Sequence, residues 1–374
     1  MLDIIKKDSK TALSTQVSKM LIRKIRGGEI KPGNRLPSER CLAKRFGISR
    51  GTVIEALDLL EKQNYIERIS AKGTFVTDDV NHELSLVKIA FPFPEESISP
   101  TSLGSLENWG IASEIYRGII QEAKAQNTEI SFIHFEEAAN EIQLARQLRR
   151  LEDMDSTIFI GHQLLQLQHA LIKRGTLGVL IAPKPDIEGQ SVITDDLENA
   201  CFELANLAKD KNYKRLRIIY NSSTKESLYD KRRFEEKTKA LMGAFEKVKI
   251  ETSPDWFYEI ENNDPQNFAK IFSQNNFNLT DGIDIIYYEN TNTVPAFYRY
   301  CYDNGIAIGH GIGVFGYADG VSLQNLIPAF TYSKKNSFET GRRACARCLK
   351  IVQTGKQSSC IEFVKNILME GESV

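Results

Sequence analysis

Between Arg35 and Leu60 the chain reads RLPSERCLAKRFGISRGTVIEALDLL, and no other stretch narrows the fold as much. Ser38 follows Pro37 and is placed to cap a short helix that reaches Arg45 or Phe46, and Gly47 suits the left-handed position that ends such a helix. Ser49 is placed to cap a second helix to about Gln63, with Val53, Ala56, Leu57 and Leu60 on its inward side. Only Gly-Ile-Ser lies between the two, which predicts a helix-turn-helix. Upstream, 11–26 carries Leu13, Val17, Met20, Leu21 and Ile25 as one apolar stripe, and Gly27-Gly28 stops it. The segment KPGNRLP reads as a turn-rich connector. Downstream, YIERISAKGTFVTD predicts a hairpin in which Gly73 supplies the positive φ of a tight turn. The sum is an α+β winged helix-turn-helix head over residues 1–78.

Charge gives the head its partner. Residues 1–78 hold 16 Lys and Arg against 9 Asp and Glu, whereas the remaining residues hold 32 against 40, so a net charge of −1 conceals a basic head on an acidic body. A basic face is often only a solvated one. Here it coincides with a helix-turn-helix and a wing, and that combination predicts contact with double-stranded operator DNA. The third helix would present Ser49, Arg50, Gly51 and Thr52 at its N-terminus, where free N–H groups and the positive dipole end attract phosphate. Arg50 is long enough to read a base edge, Gly51 permits close approach, and Arg35, Ser38 and Arg40 lie in the approach segment. Lys72 sits at the wing tip beside Gly73.

The segment DDVNHELS, 78–85, is polar and reads as a linker, so 79–85 separates the head from a body over 86–374. In the body, strand patterns near 86–91, 130–135, 157–161, 178–182, 215–220, 256–260, 282–288 and 312–317 alternate with eight helical patterns. Repeated βα units predict parallel sheets with helices on both faces, and their number predicts an α/β body of two doubly wound lobes with a ligand cleft between them. The stretch ISPTSLGSLEN, 98–108, reads as a loop between the first of these strands and its helix.

Two resemblances add to this reading. GGEIKPGNRLPSERCLAKRFGISRGTVIEALDLLEKQNYIERISAKGTFV resembles the DNA-binding domain of the GntR family. That resemblance implies DNA contacts at Arg35, Arg50, Thr52 and Gly73, with Ser49 at the recognition-helix start. Ile54 departs from it, because the family often has Arg there. More diffusely, EIYRGIIQEAKAQNTEISFIHFEE, DIIYYENTNTVPAFYRY and GIGVFGYADG resemble the periplasmic-binding-protein-like body of LacI-type regulators. This second resemblance implies an effector site that includes Arg233, Glu289, Asn290 and Asp319, and Trp109 is placed to stack on a ring. Glu289-Asn290 stands where the family often has Asn-Asp, and Ala318 where it often has Asp, so the effector need not be a simple sugar.

These features predict a regulator, a repressor in the first instance, acting as a homodimer on a pseudo-palindromic site with a small-molecule effector. An architectural DNA-binding protein without an effector is the alternative. An enzyme with a regulatory head is another, since some GntR-type proteins carry an aminotransferase-like body; no Schiff-base lysine or phosphate-holding loop is recognisable here. No cofactor or metal is expected. Cys345 and Cys348 form C-A-R-C inside a helical pattern without a second Cys/His pair, and the glycines of GHGIGVFG precede a strand instead of opening a helix. No apolar run of membrane-spanning length occurs, the N-terminus lacks a signal-like apolar stretch, and six scattered cysteines fit a reducing cytoplasm.

Overall fold

The computed structural model describes residues 12–26, 29–77, 87–94, 105–126, 128–136, 138–161, 164–174, 176, 178–182, 190–221, 228–260, 265–275, 277, 282–288, 293–318, 323, 325–355, 357 and 359–374. The head comprises α1 (Leu13–Arg26), α2 (Glu39–Phe46), α3 (Arg50–Lys62), β1 (Ile66–Ile69) and β2 (Gly73–Val76). The stripe of α1 puts Val17, Leu21 and Ile25 into a core shared with Leu36, Leu42, Val53, Ala56, Leu57, Leu60, Tyr65, Ile66 and Val76. Burying each of the large aliphatic groups stabilises the head by roughly 1.5–3 kcal/mol relative to exposure.

Two local expectations are refined. Gly73 has the expected positive φ, 120°, but it opens β2 and pairs with Ile69, and Ala71, with φ 61°, takes the left-handed position within the turn itself. The connector is also more than a turn. Leu36 N–H donates to the Thr74 carbonyl at 2.8 Å and Val76 N–H to the Asn34 carbonyl at 2.9 Å, so residues 33–36 run beside β2 as a further ribbon.

The body is two lobes of one topology. The N lobe has β3 (Val87–Pro94), α4 (Ser105–Ala125), β4 (Thr128–Phe135), α5 (Glu141–Arg150), β5 (Ser156–Ile160), α6 (Leu165–Lys173), β6 (Gly178–Ile181) and β7 (Ser191–Asp195). The C lobe has α7 (Leu197–Asp210), β8 (Arg215–Asn221), α8 (Leu228–Lys247), β9 (Phe257–Ile260), α9 (Pro265–Gln274), β10 (Asp284–Tyr288), α10 (Val294–Asp303), β11 (Gly313–Ala318) and β12 (Thr331–Lys334). The chain then returns to the N lobe for α11 (Ser337–Thr354) and β13 (Cys360–Val364), and ends in the C lobe with β14 (Ile367–Met369). Sheet orders are β4-β3-β5-β6-β7-β13 and β9-β8-β10-β11-β12-β14. All described pairings in the two sheets are parallel except β12 with β14. In each lobe the order reverses at the first strand, which places a crevice at the carboxyl ends of the strands.

Three strands lay outside the eight patterns read from the sequence: β12, β13 and β14, each of five residues or fewer. A fourth, β7, also lay outside them. The loop expected at 98–108 is helical from Ser105 onward, and Trp109 is the fifth residue of α4. The glycines of GHGIGVFG do allow close approach: a Cβ on Gly309 would lie 2.1 Å from the Glu372 carbonyl oxygen, and one on Gly313 would lie 2.5 Å from the Tyr213 ring. Cys345 and Cys348 are buried in the core between the N-lobe sheet, α4 and α11, and burial pushes both thiols up to about 12. Among the described residues no cluster of three or more His, Cys, Asp or Glu is arranged to hold a metal ion, and no helix is long and apolar enough to cross a membrane.

Candidate nucleic-acid interface

The two serines act as caps. Ser38 Oγ accepts from the Cys41 amide at 3.3 Å, and Gly47 ends α2 at φ 63°. Ser49 Oγ accepts from the Thr52 amide at 3.1 Å and lies 2.8 Å from Thr52 Oγ1. Each cap satisfies one of the orphan N–H groups of its helix, so the remaining donors at the start of α3 stay directed at solvent. A Cβ on exposed Gly51 would meet only Ser49 Oγ, at 3.7 Å, so another surface can approach the α3 backbone closely.

Arg50 projects from α3 with 70% of its side chain exposed, yet it is not loose. Its Nε donates to Glu39 Oε2 at 2.9 Å, and a second guanidinium nitrogen lies 2.9 Å from the same oxygen. Glu39 is the first residue of α2, so this pair joins the starts of the two helices. Nothing in the sequence pattern marks Glu39. A glutamate eleven residues before an arginine carries no periodic signal, and the contact exists only because the turn brings both helix starts together. At this exposed position the pair is worth little as stability. Its consequence is geometric: it fixes where the guanidinium fork points, and a base edge or phosphate must compete with Glu39 for it.

At the wing, Arg35 lies against Gly73. A Cβ on Gly73 would come within 2.7 Å of Arg35 Nε and 3.0 Å of a terminal guanidinium nitrogen. Gly73 therefore serves Arg35, bringing that cation onto the base of the hairpin, while exposed Lys72 occupies the turn. Arg68 on β1 ties the wing to α3, pairing with Asp58 at 2.6 Å and donating to the Ile54 carbonyl at 3.3 Å. The Ile54 position, where the resemblance leads one to expect a basic side chain, thus offers its backbone to Arg68. Arg40 is exposed on α2. The fold joins Ser49 with Thr52, Arg50 with the start of α2, and Arg35 with Gly73.

The residues expected at an effector site fall elsewhere. Glu289, Asn290 and Asp319 lie outside the described residues. Trp109 lies on α4 and Arg233 on α8, and both side chains lie outside the description. Glu289 and Asn290 follow β10, and Asp319 follows β11, at the carboxyl ends of two adjacent C-lobe strands.

Comparison with known proteins agrees with both halves. Residues 13–76 match the model of "Bacterial regulatory proteins, gntR family". The HTH-type transcriptional repressor NagR of Bacillus subtilis is 41% identical over 73 residues, covering 20% of this chain and 30% of that protein. The arabinose metabolism transcriptional repressor of Geobacillus stearothermophilus is 28% identical over 109 residues, covering 29% and 26%. The matches span between 26% and 30% of the length of these curated relatives. A LacI family transcriptional regulator from Enterococcus faecium, solved with bound ribose, superposes with a TM-score of 0.53 at 16% identity, over 76% of this chain and 98% of that one. The head is a GntR-type winged helix-turn-helix, and the body has the fold of LacI-type regulators.

Proposed function

We propose that this chain is a transcription regulator, a repressor of the cytoplasm without catalytic activity, that binds operator DNA through α3 and the wing and answers to a small molecule in the cleft between the lobes. The observation that carries it is the start of α3. A serine cap holds the helix end open to solvent while Glu39 aims Arg50 outward, in a module matching the GntR model. Arg50 reads a base; Arg35, Ser38, Arg40, Ser49, Gly51, Thr52, Lys72 and Gly73 serve the backbone and the fit around it. Binding of duplexes selected from a random pool by the full chain, read by mobility shift, tests this. Retention of a selected sequence at moderate salt supports the reading, and failure to hold any duplex even at low salt ends it.

The body's topology supports the effector. The carboxyl ends of β10 and β11 lie at the crevice end of a doubly wound sheet, where ligands of such sheets bind. Arg233, Glu289, Asn290, Asp319 and Trp109 are the proposed contacts. Ribose in the Enterococcus relative makes sugars the first compounds to try, with sugar phosphates and nucleosides next. A ligand that binds only the folded chain raises its melting temperature. A screen with no shift favours an architectural protein without an effector. Two heads reading two half-sites require a homodimer, and Ile120 and Phe132, both exposed beside Tyr116 at the β4 edge, offer it an apolar surface. Sedimentation of Phe132→Ser as a monomer, against a dimeric parent, supports that surface.

A further inference from the structure

The chain passes between the lobes three times: after β7 at Asp195-Asp196, between β12 and α11 at Lys335-Asn336, and between β13 and β14 at Lys365-Asn366. One side chain binds to two of these crossings. The Tyr317 hydroxyl, at the end of C-lobe strand β11, donates to Asp195 Oδ2 and accepts from Asn366 Nδ2 at 2.8 Å. Asn366 Nδ2 also lies 3.2 Å from Ser333 Oγ on β12, just before the remaining crossing. Lys335, within that crossing, and Lys237 of α8 place their ammonium groups 5.7 Å and 4.8 Å from the centre of the Tyr317 ring. The cluster is deeply placed: Tyr317 is 8%, Asn366 4% and Ser333 1% exposed. Among the described residues, Asn366 Oδ1 is buried without a hydrogen-bond partner.

The second crossing leads directly into α11, capped by Asn336 through the Glu339 amide at 3.3 Å. At two glycines this helix meets α4 backbone to backbone. A Cβ on Gly118 would lie 2.0 Å from the Phe338 carbonyl oxygen, and one on Gly341 would lie 2.0 Å from that of Ile115. Arg342 bonds both Glu339 and, at 3.0 Å, Glu122 of α4. From the crossing, 18 residues of helix reach about 27 Å, towards the end of the lobe where β3 begins. There the head touches the body: α1 lies against α11, and Lys19 Nζ donates to the Glu152 carbonyl.

We infer that the Tyr317 hydroxyl is the latch that sets the angle between the lobes, and that α11, moving as one body with α4, carries that angle to α1 of the head. Rotation about the three crossings loads the Tyr317–Asp195 bond, because Asp195 ends an N-lobe strand while Tyr317 belongs to the C-lobe sheet. Tyr317 precedes the proposed effector contact Asp319 by two residues, so an occupant of the cleft acts next to the latch. Tyr317 is a positioning residue here and touches neither DNA nor, on this reading, the effector. The inference rests on the regulatory reading above.

The test compares the full-length chain with Tyr317→Phe, which removes the hydroxyl and keeps the ring, and with Tyr213→Phe. Tyr213 is equally buried in the C lobe and loses only a long 3.4 Å bond to Gly309, away from the crossings. Hydrogen exchange and affinity for a selected duplex are measured on all three. Tyr317→Phe is expected to raise exchange at residues 192–196, 333–337 and 363–367 and in α1, and to change duplex affinity at least threefold, with Tyr213→Phe leaving α1 and the affinity as they are. Unchanged crossings overturn the latch. Crossings that loosen while α1 and the affinity stay fixed overturn the transmission, and a uniform rise across both lobes reduces Tyr317 to a packing residue. If the parent chain binds no duplex, the regulatory reading fails, and exchange in α1 still decides whether latch and head are coupled.

Discussion

The head and the body place their working groups in opposite ways. In the head, Arg50, Arg40, Lys72 and Gly51 are exposed on a frame whose caps and turns close within about forty residues of sequence. In the body, the contacting groups lie deeper than Arg50 and meet across long separations, as Arg342 does with Glu122 inside the N lobe and Tyr317 with Asp195 between the lobes. The difference teaches where damage should appear. Substitutions on the head's surface should remove binding and spare the fold, whereas those at the body's contacts should act on the fold first.

The largest effect is expected from Gly341→Ala. Its added carbon has to displace the Ile115 carbonyl from 2.0 Å, which should cost about 3 kcal/mol or more. Chemical denaturation followed by tryptophan fluorescence reads it, since both tryptophans lie in the body. A stable Gly341→Ala chain would break the comparison on the body side.

Arg50→Ala comes next, with binding to a selected duplex weakened by about 1–3 kcal/mol and selectivity at one base position relaxed. Its denaturation curve should match the parent's. Glu39→Gln sharpens the same point. It keeps an oxygen acceptor for Arg50 but removes a negative charge from the interface, so affinity should rise for every duplex and discrimination should fall.

Ser49→Ala tests the frame itself. Loss of the cap should destabilise the start of α3 by about 1 kcal/mol, seen as faster amide exchange there. In the body, hydrogen bonds from Arg342 first and Arg343 second hold the Glu339 carboxyl down at about 2 against an ordinary value of 4.5. A carboxyl depressed in the folded state adds stability above its unfolded value and loses it as pH falls. The loss should therefore run from about pH 4.5 to about pH 2, and Glu339→Gln should flatten that part of the stability profile. The smallest effect belongs to Lys72→Ala: evenly weaker binding across sequences and a salt slope lower by about 1.

The head was legible because its determinants are short-range. Ser38, Gly47 and Ser49 declare helix ends by their own chemistry, and Val53, Ala56, Leu57 and Leu60 declare one buried face by spacing; all four are buried. What escaped in the head is what required folding. Gly73 looks like a turn residue in sequence, but Arg35 comes to lie where its side chain would be. The body's alternation was legible as well, since buried parallel strands read as apolar runs. Its last strands were not, being short and completed only by partners such as Ser191–Asp195 and Thr331–Lys334.

Local periodicity and capping chemistry thus determined, from the sequence alone, a winged helix-turn-helix on a two-lobed α/β body. Only the tertiary structure decided that Glu39 holds Arg50, that α11 returns to the N lobe to lie against α1, and that Tyr317 ties the crossings together. The reason is physical: caps and amphipathic faces act over a few residues, whereas these contacts join groups brought near only when the sheets have closed.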